Sequence, residues 1–249
     1  MKYILVDNKV RDIELEYFNS LNYEVIKIPT NTRLYDEISS HTDIHVCKLK
    51  DKVIVSKELY NYLDYTYFKN NIYVDLRDKI IVGNSYVLDK YPLDIKYNLF
   101  QFKSYVIHNF NYTDEKCLNV IDNLKLKKID VNQGYSNCSC LNILDKICLT
   151  CDIDIYNKLN NELIKDLKLI YVDKEKCNIN LIKNNGKYSN MKGFIGGCLS
   201  VVDGKLIVFG DSKYIYNFDE IKEVLDNNNI KLIEFKGYKL IDYGKIIEV

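Results

Sequence analysis

The residues of this chain best suited to nucleophilic and acid/base chemistry are its eight cysteines and three histidines. His41 lies in a polar Ser-Ser-His-Thr-Asp run that ends on Asp43, and Cys138 follows Ser136 and Asn137. A cysteine attacks carbon only as its thiolate, which requires a cationic or electropositive neighbour. Taken alone, a strand cysteine is more often a small hydrophobe, and His41 with Asp43 reads equally as a solvated turn whose carboxylate caps the backbone. The polar residues ahead of Cys138 point to exposure, so a catalytic Cys138 would be the most readily alkylated thiol at neutral pH. Cys140 and Cys198 share the register of Val46 and read as core. His45 and His108 have no partner pattern and read as structural or exposed. Cys138-Ser-Cys140 and Cys148-Leu-Thr-Cys151 have zinc-like spacing, but strand alternation scatters their side chains over two faces. Neither a metal nor a cofactor is expected.

The elements that must carry these residues recur five times along the chain. IHVCKLKDKVIVS from Ile44, CSCLNILDKICLT from Cys138 and GGCLSVVDGKLIVFGD from Gly196 each read as strand, turn and strand, with Asp51, Asp145 and Asp203 at the turn. NLFQFKSYVIHN from Asn98 is a fourth copy. The fifth is split between the termini: LIDYGKIIEV closes the chain with a first strand and MKYILVD opens it with the second. An amphipathic helical stretch follows each second strand, starting at Asp12, Lys57, Asp114, Asp154 and Asp219. A β-rich run follows each helix: YEVIKIP, NIYVDL, LKKIDV, LKLIYVD and IKLIEF. Arg77 to Asp94 exceeds the unit and reads as an added hairpin or loop. Asp7, Asp152 and Asp211 end second strands just before helices, where Asp caps the N-terminus; the alternative is a ring of acids at a pocket mouth. Repeats of this length indicate a ring or an array, and split ends favour a closed ring. We expect one α/β domain over residues 1–249, a five-bladed ββαβ propeller with both termini in one blade. In such a ring the starts of the first strands converge on a central channel. That convergence collects His41 to Asp43, Asn98, Asn137 with Cys138, Gly196 with Gly197, and Asp242 to Gly244.

Composition narrows the function classes. Lys plus Arg and Asp plus Glu number 35 each, which argues against a nucleic-acid scaffold, where a basic excess neutralises phosphates. The opening MKYILVDNKVRDIE has too short an apolar run for a signal peptide, and no stretch reaches the roughly 18 apolar residues that cross a bilayer. A cytoplasmic protein with free thiols and a small-molecule ligand in the channel is expected.

Five ββαβ units, His-x-Asp entering one unit, and a Cys-Ser pair two units later resemble the pentein superfamily of guanidino-group-modifying enzymes. These include deiminases, amidinotransferases and dimethylarginine dimethylaminohydrolases. The segments IPTNTRLYDEISSHTDIHVCKL, YPLDIKYN, VNQGYSNCS, GFIGGCLS and LIDYGKII are similar to an uncharacterised bacterial family of that fold. The resemblance implies a circular permutation, which a closed ring permits. It implies Cys138, rather than Cys140, as nucleophile, His41 as general acid/base, and Asp43 as a substrate or orienting carboxylate. It places Asn98 in the intervening unit, Asp242 in the channel, and Lys9 where the enzymes carry a substrate-binding Arg. With Asn137 and Gly197 these form the expected substrate contacts. Gly196 and Gly197 stand where the enzymes carry paired acids, and two carboxylates are the natural partners of a planar guanidinium. Arginine, agmatine and methylated arginines are therefore expected to bind poorly. The implied activity is that of a Cys-dependent C–N hydrolase or amidinotransferase on a smaller amidine- or amide-like substrate. The alternative is a non-catalytic pentein used for ligand binding or assembly, like the ribosome anti-association factor that shares the fold.

Overall fold

A computed structural model describes residues 1–162, 164, 167–182 and 191–249. Five three-stranded sheets share one topology: an antiparallel pair, then a parallel strand added beyond a helix. In chain order the middle strands are Lys52–Val55, Tyr105–His108, Ile147–Thr150 and Lys205–Val208. The fifth middle strand is Tyr3–Asp7, which pairs antiparallel with Ile247–Glu248 and parallel with Glu24–Ile28. The two ends of the chain thus complete one sheet, as the split repeat implied. Two hairpins close through paired left-handed residues, Leu144 with Asp145 and Asp203 with Gly204. Two successive positive φ values match the strand twist of a tight hairpin, which explains the Asp-Gly at one of them.

Each helix buries one stripe against its sheet: Leu59 and Leu63, Cys117 and Ile121, Ile155 and Leu159, Ile221 and Leu225. The apolar clusters run between sheets rather than within them. Tyr3, Leu5 and Ile26 pack with Val46, Val53 and Val55, and Cys47 and Ile54 pack with Val106 and Cys117. Phe100 and Ile107 meet Cys140 and Cys148, while Leu141 and Leu149 meet Leu199 and Leu206. The fifth cluster joins Val202 and Ile207 back to Ile4 and Val6. Every sheet therefore shares a core with the sheet before it and the sheet after it.

Four local expectations need correction. NIYVDL is not a strand: Tyr73 is left-handed and Val74–Arg77 forms a helical turn that buries Leu76. The third strand of that unit is Ile80–Val82, inside the segment read as excess, and it pairs with Val53–Val55. The terminal run is not one strand either. Leu240–Asp242 pairs with Ile179–Leu181 in a separate two-stranded sheet, and the left-handed Gly244 and Lys245 divide it from Ile247–Glu248. Neither Ile44 nor Cys138, where first strands were expected to begin, lies on a strand. Each sits in a single helical turn, Thr42–His45 and Ser136–Ser139, that leads into Val46–Leu49 and Cys140–Ile143. Finally, Asp152 and Asp211 do cap helical turns, but Asp7 does not. The helical reading from Asp154 also covers residues 163, 165 and 166, which lie outside the described residues; the helix observed there is Ile153–Asn161. Among the described residues no helix is long and apolar enough to cross a membrane.

Candidate active site

Asn98 holds the turn that carries Cys138. Its side-chain oxygen accepts the N–H groups of Asn137 at 2.8 Å and Cys138 at 3.2 Å, and its amide donates to the Asp43 carbonyl at 3.0 Å and to Cys138 Sγ at 3.2 Å. One buried amide therefore joins three units of the repeat. The Asp43 N–H donates to the Gly244 carbonyl at 2.9 Å, which adds the terminal unit. The helical turn at 138 brings its backbone N–H and its thiol to the one Asn98 amide, and the turn at 43 is held by its N–H to Gly244 and its carbonyl to Asn98.

Asp242 is enclosed. Its carboxylate accepts the N–H groups of Phe194 and Gly244, both at 2.8 Å. A Cβ on Gly197 would lie 1.8 Å from Asp242 Oδ1, and one on Gly193 would lie 2.5 Å from Asp242 Cβ. A Cβ on Gly196 would meet the Cys140, Asn137 and Cys138 carbonyls at 2.2 to 2.5 Å. Gly196 and Gly197 are thus required by close approach, and the Asp242 carboxylate fills the space a side chain at 197 would take.

Five ionisable groups meet here, all nearly without exposure. Cys138 Sγ donates to Asp43 Oδ2 at 2.8 Å. His41 Nδ1 lies 3.9 Å from Asp242 Oδ1, and His41 Nε2 lies 3.8 Å from Asp7 Oδ2. Burial pushes the Cys138 thiol well above its ordinary range, and the charges of Asp43 and Asp242 push it further. Burial also raises Asp43 to about 7, with Asp242 adding to the rise and the bond from Cys138 opposing it. Asp242 is raised to about 6 by burial, against the two N–H bonds that favour its anion. Burial lowers His41 to about 3, helped by the charge of Lys9. The empty site therefore holds a neutral imidazole and a protonated thiol at neutral pH.

Cys138, His41 and Asp242 line a cavity of about 270 Å³, with Tyr91, Tyr135 and Phe194 among its walls. Tyr135 stacks on Phe194 with centroids 6.1 Å apart. Its polar base and aromatic walls suit a small ligand with a polar head. The other expected residues are placed differently. Asp43 is fully buried behind Cys138, and Asn98 spends both ends of its amide on protein partners rather than on a ligand. Asn137 faces a separate cavity, where Lys245 Nζ donates to its side-chain oxygen at 2.6 Å. Gly197 acts through the room it leaves. The Lys9 side chain donates to the Asp36 carbonyl and acts on His41 through its charge.

The exposure expected of Cys138 is not found: its relative exposure is 3 %, and all eight cysteines are buried free thiols. His45 and His108 are buried too. His108 is bound between Thr113 and the Gly134 carbonyl. The sequence reading missed Asp7 as a neighbour of His41. Its Oδ1 accepts the Ser40 hydroxyl at 2.8 Å and the Lys9 N–H at 2.7 Å. The clue was that Asp7 precedes its helix by four residues, too far to cap it. Lys245 was missed as well, because it follows a glycine in a run read as continuous strand.

The fold is similar to that of solved dimethylarginine dimethylaminohydrolases. A cysteine-to-serine mutant of the Pseudomonas aeruginosa enzyme complexed with citrulline matches at 7% identity and a TM-score of 0.53, covering 94% of this chain and 91% of that one. An adduct of dimethylarginine dimethylaminohydrolase with 4-chloro-2-hydroxymethylpyridine matches at 7% identity and a TM-score of 0.52, covering 94% and 92%. A histidine-to-glycine mutant adduct with S-methyl-L-thiocitrulline matches at 8% identity and a TM-score of 0.51, with the same coverage. The architecture is thus a mixed α/β fold of the pentein kind. The chain belongs to the family of unknown function DUF6873, which matches residues 5–247. No curated protein sequence matches it.

Two outcomes follow from the packing and the charges. Gly197→Ala should destabilise the protein by about 3 kcal/mol or more, because the colliding atoms belong to an enclosed carboxylate. Adding Asp242→Ala should recover part of that loss, since it removes the atoms that collide. Urea unfolding of the two single variants and the double variant measures this coupling. The second outcome concerns pH. A carboxyl raised to about 7 in the folded state binds a proton that the unfolded chain has already released, so its contribution is lost as pH rises from about 4 to about 7. Relative to Asp43→Asn, the wild type should weaken across that window by up to about 4 kcal/mol. Unfolding midpoints of the two proteins at pH 4.5 and 7.5 check the sign.

Proposed function

We propose that residues 1–249 form one closed five-bladed pentein ring, and that the protein is a Cys-dependent enzyme acting on the C–N bond of a small amidine-like substrate. The observation that carries the reading is the shared cavity of Cys138, His41 and Asp242, with the Asp43 carboxylate 2.8 Å from the sulfur. The five shared cores, the last joined to the first, support the ring.

Two buried carboxylates beside a thiol suppress its ionisation. A planar cation placed against Asp242 reverses that effect, because it compensates the same charges and polarises its own carbon. An amidinium does both; a neutral amide does neither. In this reading Cys138 bonds to the amidine carbon as its S–H proton passes, by way of the Asp43 carboxylate in direct contact with it, to His41. The C–N bond breaks as His41 protonates the departing nitrogen. Water deprotonated by His41 then attacks the thioimidate carbon and the C–S bond breaks, regenerating the thiol. The net change is amidine plus water to amide plus amine. Transfer to an amine instead of water would be the amidinotransferase variant. Asn98 holds the nucleophile's turn, and Asn137, Lys9 and Gly197 support the site from outside the cavity.

A second reading, a non-catalytic ligand-binding pentein, draws on the same raised thiol, since a permanently protonated sulfur is inert. Alkylation separates the two. The cation 2-chloroacetamidinium should label Cys138 at least about tenfold faster than 2-chloroacetamide at pH 7.5, given roughly 1.4 kcal/mol or more from one charge-assisted contact. The preference should fall in Asp242→Asn, and peptide mass spectrometry assigns the labelled cysteine. Equal rates with both reagents, or labelling elsewhere with Cys138 untouched, would leave the binding module as the better account.

A further inference from the structure

A second cavity, of about 480 Å³, opens beside the first. The two have no lining residue in common, and the adjacent residues Asn137 and Cys138 line one each. Lys245 forms part of its wall, carried there by a left-handed backbone with φ of 67°. Its Nζ donates to Asn137 Oδ1 at 2.6 Å and to the Cys140 carbonyl at 3.0 Å, and lies 5.5 Å from the centre of the Phe100 ring. An ammonium has three N–H donors, and the third has no protein acceptor among the described residues. Among the described residues no carboxylate forms an ion pair with it, although the Asp43 charge acts on it from behind the wall. Lys245 is half-buried, so its third donor is directed to whatever occupies the cavity.

Lys48 and Lys50 line the same cavity. So do Asp145 and Glu248, and one oxygen of each carboxylate is taken by protein donors. Asp145 Oδ1 accepts from the Lys103 N–H at 3.2 Å and from Asn142 Nδ2 at 2.7 Å. Glu248 Oε1 accepts from the Asp203 N–H at 3.2 Å and from the Tyr23 hydroxyl. Lys48 Nζ donates to the Glu248 carbonyl at 2.8 Å, while Lys50 has no ion pair among the described residues. The cavity therefore carries three ammonium groups against two carboxylates, with Lys245 in its wall.

We propose that this second cavity binds a small oxyanion, a carboxylate or a phosphate, on Lys245, with Lys50 and Lys48 completing its charge. The site is distinct from the Cys138 cavity in position. Its occupant bonds to the cation that holds Asn137, and so reaches the turn carrying Cys138 through one residue. The inference stands whether or not the enzymatic reading does.

Calorimetric titration of the full chain with inorganic phosphate, and separately with acetate, at constant ionic strength set by chloride, tests it. Saturable binding at one site per chain is expected for at least one probe, and the tighter of the two identifies the oxyanion. Lys245→Gln should weaken it by about tenfold or more, as loss of a charge-assisted contact requires. Lys50→Gln should weaken it severalfold; that side chain is exposed, so the variant keeps the test valid if Lys245→Gln fails to fold. Lys213→Gln, remote from the cavity, should leave it unchanged. Absence of saturation with both probes, equal affinity in Lys50→Gln and wild type, or equal weakening by Lys213→Gln would overturn the proposal.

Discussion

The structure depends on the burial of carboxylates next to a thiol at the place where its units meet. Asp7, Asp43 and Asp242 are each almost without exposure, and water would stabilise all three anions better than the protein does. The donors available are few: the Lys9, Phe194 and Gly244 backbone N–H groups, the Ser40 hydroxyl and the Cys138 thiol. Among the described residues, Asp7 Oδ2, Asp43 Oδ1 and His41 Nδ1 find no hydrogen-bond partner. Unmatched buried polar atoms of this kind are costly to fold around.

Everything around the site keeps those groups close together. Asn98 binds the 43 and 138 turns to each other, and Gly244 leaves room for both His41 and Asp43, where a Cβ would fall 2.3 Å from His41 Cβ. Gly193 and Gly197 do the same for Asp242. The larger architecture serves one end: successive sheets share cores, so the starts of their first strands are held at fixed separations. Five weak local preferences become one rigid arrangement, because shifting any strand start by a residue would break bonds to two other units.

Much of this was legible in the sequence. Repetition exposed the sheets, the split unit foretold that residues near the two ends would pair, and the convergence of unit starts collected His41, Asp43, Asn98, Cys138 and Asp242. What repetition does not encode is the local departure from it. The turns at Thr42–His45 and Ser136–Ser139 are held by tertiary bonds to Asn98 and Gly244, so strand propensity alone misassigned them. Ile80–Val82 lay hidden behind a stretch, NIYVDL, with equal β character, where two left-handed residues decided the matter. Gly196 and Gly197 read as missing acids, yet their role is steric: a glycine signals room, and only the structure shows that Asp242 uses it. Exposure of Cys138 was inferred from polar neighbours, but those neighbours point at protein.

The central claim is that Cys138 ionises in response to a cation. It is tested most directly by the thiolate absorbance near 240 nm, taken as the difference between wild type and Cys138→Ala and followed against pH with and without saturating acetamidinium. Without the ligand, the Cys138 step should lie above the ordinary thiol range of about 8.5, in keeping with its burial beside Asp43 and Asp242. With acetamidinium bound, the step should move down by a unit or more. A step that does not move on binding, or one already below the ordinary range in the empty protein, would contradict the account.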